Sequence, residues 1–248
     1  PGQKPKDLVT FVQSVEHFAM TDYALALSAG AGLPPQQRLA IANRLHAVTG
    51  LPVWYILKAN LRIDGGEFEK NLQDSADMTT GRLDTRFSGP TIDPLSKEAD
   101  YDPQSAAISS AYVSGFNDYV RGTLNYGQGK TYNPEIDVFK WWEFKHQQPG
   151  QSFSFPGSTN VMPDIATAMK TNPQLKVMVN GGYFDLATPY YEGWYEMHHL
   201  PIPQTLQGNI EYHYYASGHM VYAHEEALKL LHDNVAAFIR NTATPPAH

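Results

Sequence analysis

Two stretches, LKVMVNGGYFD at 175–185 and NIEYHYYASGH at 209–219, decide how this chain folds. Each is a short apolar or aromatic run that ends in a small-residue turn, with an ionisable residue just past it: Asp185 in the first and His219 in the second. Runs of this length bounded by turn residues read as strands, and the first is apolar enough to be buried on both faces. Between them lies TPYYEGWYEMHH (188–199), where Thr188 suits an N-cap and Pro189 a first helical position. VMPDIATAMKTNP (161–173) precedes the pair as a helix. AHEEALKLLHDNVAAFIRN (223–241) follows it as an amphipathic helix, with Leu228, Leu231, Val235 and Phe238 on one face. The order helix, strand, helix, strand, helix predicts two neighbouring parallel strands of an α/β sheet. Two strands alone would expose rows of unpaired backbone groups, so a larger sheet is expected, with the rest supplied from outside this chain.

Upstream, the sequence reads as helices. DLVTFVQSVEHFAMTDYALALSAG (7–30) places Leu8, Phe11, Val12, Val15, Phe18 and Ala19 on one face and stops at Gly30, and PPQQRLAIANRLHAVTG (34–50) stops at Gly50. Short helices are expected near Trp54–Asn60 and Glu67–Gln73, and a longer one in SAAISSAYVSGFNDYVRGTLNY (105–126). Gly, Pro, Asp and Thr punctuate Ser75–Pro103, which reads as a long irregular segment of the covering or functional kind. Aromatic residues such as Trp141 and Trp142 are expected in a core. The tail TATPPAH is expected to be disordered.

At 248 residues and 42% hydrophobic content the chain can bury a substantial core. A net charge of −7 with dispersed Lys and Arg argues against nucleic acid as a partner. No apolar run reaches the roughly 18 residues of a membrane span, and the first twenty residues lack a signal-peptide core. Zero cysteines exclude disulfides and thiolate chemistry. The start at Pro1 without methionine reads as a processed product or fragment, which would place any targeting signal upstream.

In open α/β sheets, sites are built at the carboxyl ends of strands, which is where Asp185 and His219 fall. A carboxylate there can accept from an imidazole and fix its tautomer. Their separation, 219 − 185 = 34 residues, matches one crossover helix and a loop. Two plainer readings stay open: Asp185 as an Asx-turn former ahead of the helix, and His219 as a loop histidine satisfied by backbone. A metal site among His198, His199, His213, His219 and His224 is the third alternative. It lacks an HExxH pattern, and His198 and His199 suit a helix C-terminus, where imidazoles complement the dipole. No metal or cofactor is therefore expected.

VMVNGGYFDLATPYYEGWYEM and IEYHYYASGHMVYAHEEALKLLHDNVAAFI, with ANLRID, GRLDTRFSG and GFNDYVR in the first half, resemble the serine carboxypeptidase family, in particular its bacterial branch. The resemblance covers nearly the whole chain and is most specific in Asn-Gly-x-x-x-Asp (180–185) combined with Gly-His-Met (218–220). It implies an α/β-hydrolase fold and a triad in the order Ser, Asp, His. Asp185 would be the triad acid, His219 the general base, and Met220 a neighbour of the leaving-group pocket. Residues 1–155 would form a helical cap. Residues 156–241 would supply the last two strands of the hydrolase core and their helices, and 242–248 the tail. The implied substrate is a peptide with a free C-terminus, and the implied location periplasmic or secreted. One element of the pattern is missing, because no serine has glycines two positions away on both sides: Ser114 lies between Tyr112 and Phe116, Ser158 between Pro156 and Asn160. The nucleophile is expected in an absent N-terminal half or a second chain, and this chain alone is expected to be inactive. The alternatives are a non-catalytic peptide- or carbohydrate-binding module, for which 15 Tyr and 4 Trp are suited, and an acyltransferase using the same triad.

Overall fold

The computed structural model describes residues 7–154 and 159–243, so Ser158 and tail residues 244–248 lie outside the described residues. The chain mixes helix and sheet and separates into two compact units, dividing at Gln104/Ser105, inside the segment expected to form one cap.

The first unit is a helical assembly with one small hairpin. Helix α1 (Leu8–Phe18) runs through a wider π-type turn (Ala19–Tyr23) into α2 (Ala24–Ala29), which Gly30 ends at φ 54°. Helix α3 (Pro35–Thr49) ends at Gly50, left-handed at φ 82°, a conformation that glycine adopts without a Cβ clash. Helices α4 (Val53–Lys58) and α5 (Gly65–Asn71) follow. Phe18, Ala26, Leu45, Leu51, Ile56 and Leu61 form the buried core.

The segment expected to be irregular contains an antiparallel hairpin, β1 (Met78–Thr80) with β2 (Ser88–Pro90). Polar ties, one local and one from a distant residue, hold it. Asp84 accepts from the Arg86 backbone N–H at 3.0 Å and from its guanidinium, Nε at 2.9 Å and Nη2 at 2.6 Å, while Asp102 Oδ1 accepts from the backbone N–H groups of Arg82 and Leu83. Sequence periodicity carries no trace of such bonds, and three-residue strands are too short to show alternation.

The second unit begins in α6 (Pro103–Asp118), which continues as a π-type turn over Tyr119–Thr123. The aromatic segment that follows is exposed instead of forming a core: Trp141 is 82% exposed, with Phe139 and Trp142 also open. His146 Nε2 ties this segment to Asp164 Oδ2 at 2.8 Å on α7 (Met162–Thr171). Next come β3 (Val177–Gly182), α8 (Tyr190–His198), the single turn α9 (Gln204–Gln207), β4 (Ile210–Tyr215) and α10 (Glu225–Ala243). The last helix runs past residue 242, where the tail was expected to begin.

Strands β3 and β4 pair in parallel from Val177↔Ile210 to Gly182↔Tyr215, the expected βαβ arrangement. On one face Val177, Val179, Ile210 and Tyr212 pack with Ala166 and Met169 of α7 and Met197 of α8. At the end of β4, Tyr215 packs with Ala227 and Leu231 of α10, though Leu228, expected on the same apolar face, is exposed. The Tyr215 hydroxyl bonds Asn180 Oδ1 at 2.9 Å and receives Asn234 Nδ2 at 3.2 Å, joining both strands to α10. Burial raises the Tyr215 phenol above its ordinary pKa, so it remains a neutral donor. Among the described residues β3 pairs only with β4, which leaves its other edge without a ladder partner.

Candidate active site

Both strands deliver their chemistry at the carboxyl end. Beyond Gly182, Tyr183 N–H donates to Tyr215 C=O and Phe184 N–H to Ser217 C=O, both at 3.0 Å, so the loop after β3 is tied to the loop after β4. A Cβ at Gly182 would fall on the carbonyl oxygens of Ser217 and Gly218, which explains why glycine stands there. These are backbone atoms and cannot swing aside. Gly182→Ala is therefore expected to destabilise the second unit by about 1–3 kcal/mol, read as a lowered midpoint in chemical denaturation; an unchanged midpoint would refute the close approach.

The tie brings Asp185 and His219 together. Asp185 is 5% exposed, and each of its oxygens has a different task. Oδ1 accepts from the backbone N–H groups of Ala187 at 2.7 Å and Thr188 at 3.0 Å. Oδ2 accepts from the Thr188 hydroxyl at 2.8 Å and faces His219 Nδ1 at 3.0 Å. The Asx-turn reading and the imidazole-orienting reading thus hold at once, one per oxygen. A buried carboxylate with four donors is well compensated for its lost hydration.

The His219 side chain is 42% exposed. With Asp185 in front of Nδ1, the proton belongs on Nδ1 and Nε2 is left as the basic nitrogen. No hydrogen bond is made to Nε2 among the described residues. Ser217, almost fully buried, spans the base of the His219 loop from its hydroxyl to Val221 C=O at 3.4 Å. Met220 is half-buried and leads into a 3₁₀ turn (Val221–Ala223); Val221, not Met220, lines the adjoining cleft.

Thr188 is the site residue that sequence reasoning assigned wrongly. Helix α8 starts at Tyr190 with Pro189 at the N-cap position and no side-chain cap, because the Thr188 hydroxyl is turned to Asp185 Oδ2 and lies 3.1 Å from His219 Nδ1. A threonine three residues past an aspartate is the signal that could have identified it, being the spacing at which a side-chain turn can close. His198 and His199 end α8 as expected, bonding the carbonyls of Trp194 and Tyr195 at 2.8 and 2.6 Å.

A cleft of about 590 Å³ lies beside the pair. Its floor includes the consecutive residues Val179–Gly182, with Glu192 and Glu196 of α8 on its wall. The arrangement can take a proton at Nε2 and hold the resulting imidazolium against a buried carboxylate. No serine hydroxyl bonds His219 among the described residues, and Thr188 sits on the Nδ1 side, where a hydroxyl orients the ring and cannot be activated by Nε2. The chain matches no family model, no curated protein and no solved structure.

Proposed function

We propose that this chain supplies the acid and base of a serine carboxypeptidase-like hydrolase, with Asp185 orienting His219 and the nucleophilic serine coming from an N-terminal half or a second chain. The observation that carries this reading is the 3.0 Å contact between Asp185 Oδ2 and His219 Nδ1 at the ends of adjacent parallel strands. The unpaired edge of β3 supports it further, because the α/β-hydrolase fold we infer needs more strands on that side. In the complete enzyme His219 Nε2 takes the serine proton as Oγ attacks the scissile carbonyl. The proton then passes to the leaving amine, the C–N bond breaks, and water hydrolyses the acyl-enzyme with the same base. Acyl transfer to another acceptor would use the same intermediate, so it remains the second reading within this chemistry. The family resemblance supplies the substrate class, a peptide with a free C-terminus, and a periplasmic or secreted location.

The test compares a blocked peptide acid with its C-terminal amide in the complete enzyme, between about pH 4 and 8, a range spanning carboxylate and imidazole titration. Release of only the terminal residue, with the acid strongly preferred at the low end, is the expected result. Equal cleavage of acid and amide, or cleavage inside the peptide, overturns the carboxypeptidase assignment.

A further inference from the structure

A cleft of about 720 Å³ lies in the first unit, between α4, α5 and the loop at 94–97. Its volume falls in the range of small-molecule sites. Trp54, 64% exposed, lines it together with Pro94 and Leu95, and the indole meets Tyr55 in an edge contact with centroids 5.8 Å apart.

The charges in this cleft do not cancel. Lys58, Lys70 and Lys97 line it against two carboxylates, Glu67 and Asp74, in a chain whose net charge is −7. Glu67 is fully engaged, with Lys97 Nζ at 2.6 Å and the Tyr55 hydroxyl at 2.8 Å, and these bonds hold its carboxyl below the usual range, so it stays ionised. The Lys58 side chain makes no hydrogen bond or ion pair among the described residues. Lys70 is only 3% exposed, and a lysine is rarely so buried without a reason. An ammonium carries three donors, and Lys70 Nζ meets Asp74 Oδ1 and Pro94 C=O at 3.3 Å, leaving one N–H without a protein acceptor.

We propose that this cleft binds a small ring-bearing monocarboxylate, with Trp54 stacking on the ring and Lys58 and Lys70 taking the carboxylate. One surplus positive charge fits a monoanion better than a phosphate, which carries −1.5 to −2 near neutral pH. An exposed indole provides the flat apolar face that a phenyl group or the C–H face of a sugar ring needs. This proposal does not depend on the hydrolase reading, since it uses no residue of the Asp185–His219 site.

Calorimetry and ligand-observed NMR on the intact protein test it with 3-phenylpropionate and D-glucuronate, each against its neutral counterpart, 3-phenylpropionamide and D-glucose. At least one acid is expected to bind with Kd of about 1 mM or tighter, and its neutral counterpart at least about tenfold more weakly. Binding of phenylpropionate alone identifies the ring as aromatic, and of glucuronate alone as a sugar. Lys70→Met should abolish binding. Lys58→Gln and Trp54→Ala should each weaken it several-fold; both alter exposed side chains and leave the fold in place, so the result stays readable if Lys70→Met does not fold. Failure of both acids at about 10 mM, equal affinity for the neutral counterparts, or unchanged binding in Trp54→Ala overturns the proposal.

Discussion

In the hydrolase proposed above, Asp185→Asn is expected to lower kcat by about 10⁴ while the strand pair stays folded. The reason lies in how the carboxylate divides its bonds. Two backbone N–H groups, from Ala187 and Thr188, point at Oδ1, so an asparagine must place its carbonyl oxygen there and its NH₂ where Oδ2 was. That NH₂ faces His219 Nδ1 and can only donate to it. The imidazole is then forced to carry its proton on Nε2, the nitrogen that would accept from the proposed serine. Local stability should fall by only about 1–2 kcal/mol, because the turn bonds survive and the charge-assisted bond from Thr188 is what is lost. Turnover and the denaturation midpoint, measured together, separate the two effects. Near-normal turnover would leave Asp185 as a turn-former and nothing more.

Glu69 should make the first unit less stable as pH rises. It is 4% exposed, and burial pushes its carboxyl up to about 7, with Asp102, Asp64 and Glu98 adding to the rise and Arg82 opposing it. The folded chain therefore keeps a proton that the unfolded chain releases near the ordinary carboxyl value of 4.5. Since the folded state binds more protons between those limits, stability falls as pH climbs through the window and levels off above about 7. The loss is on the order of 3 kcal/mol. Glu69→Gln stays neutral throughout, so its stability relative to wild type should rise by a similar amount between about pH 4.5 and 7.5. Urea denaturation at both ends reads this difference directly, and a constant difference across the window would mean that Glu69 is ionised in the folded state.

The strand pair and the Asp185–His219 meeting were legible because both depend on local patterns: an apolar run, a small-residue turn, and a crossover of suitable length. Thr188 was misread because capping preference and carboxylate bonding ask for the same residue type at neighbouring positions, and only the rotamer distinguishes them. The role of Gly182 was hidden for a different reason. It comes from a backbone 35 residues further along the chain, at Ser217, which no local pattern records. In the first unit, the hairpin from Met78 to Pro90 depends on Asp84, Arg86 and Asp102, whose bonds replace the apolar alternation that marks ordinary strands. Trp141 and Trp142 were expected in a core because large aromatics usually find one, but both are largely exposed, with Trp142 meeting the Phe144 ring.

The pairing of Gly182 with Tyr215 also sets where evolution can change the length of this region. From that last rung Asp185 lies three residues on (185 − 182 = 3) and His219 four (219 − 215 = 4), so the two loops differ by a single residue. Insertion or deletion within 183–184 or 216–218 would shift one partner against the other by about 3.3 Å or more, the rise of one extended residue, and break a 3.0 Å contact. The stretch from about 199 to 208, between α8 and β4, does not set the Asp185–His219 distance, although Leu200 is buried in the apolar layer and Ile202 and Leu206 pack against it. Homologous chains should therefore hold the two short loops invariant and change length more readily between 199 and 208, around the packed positions Leu200, Ile202 and Leu206.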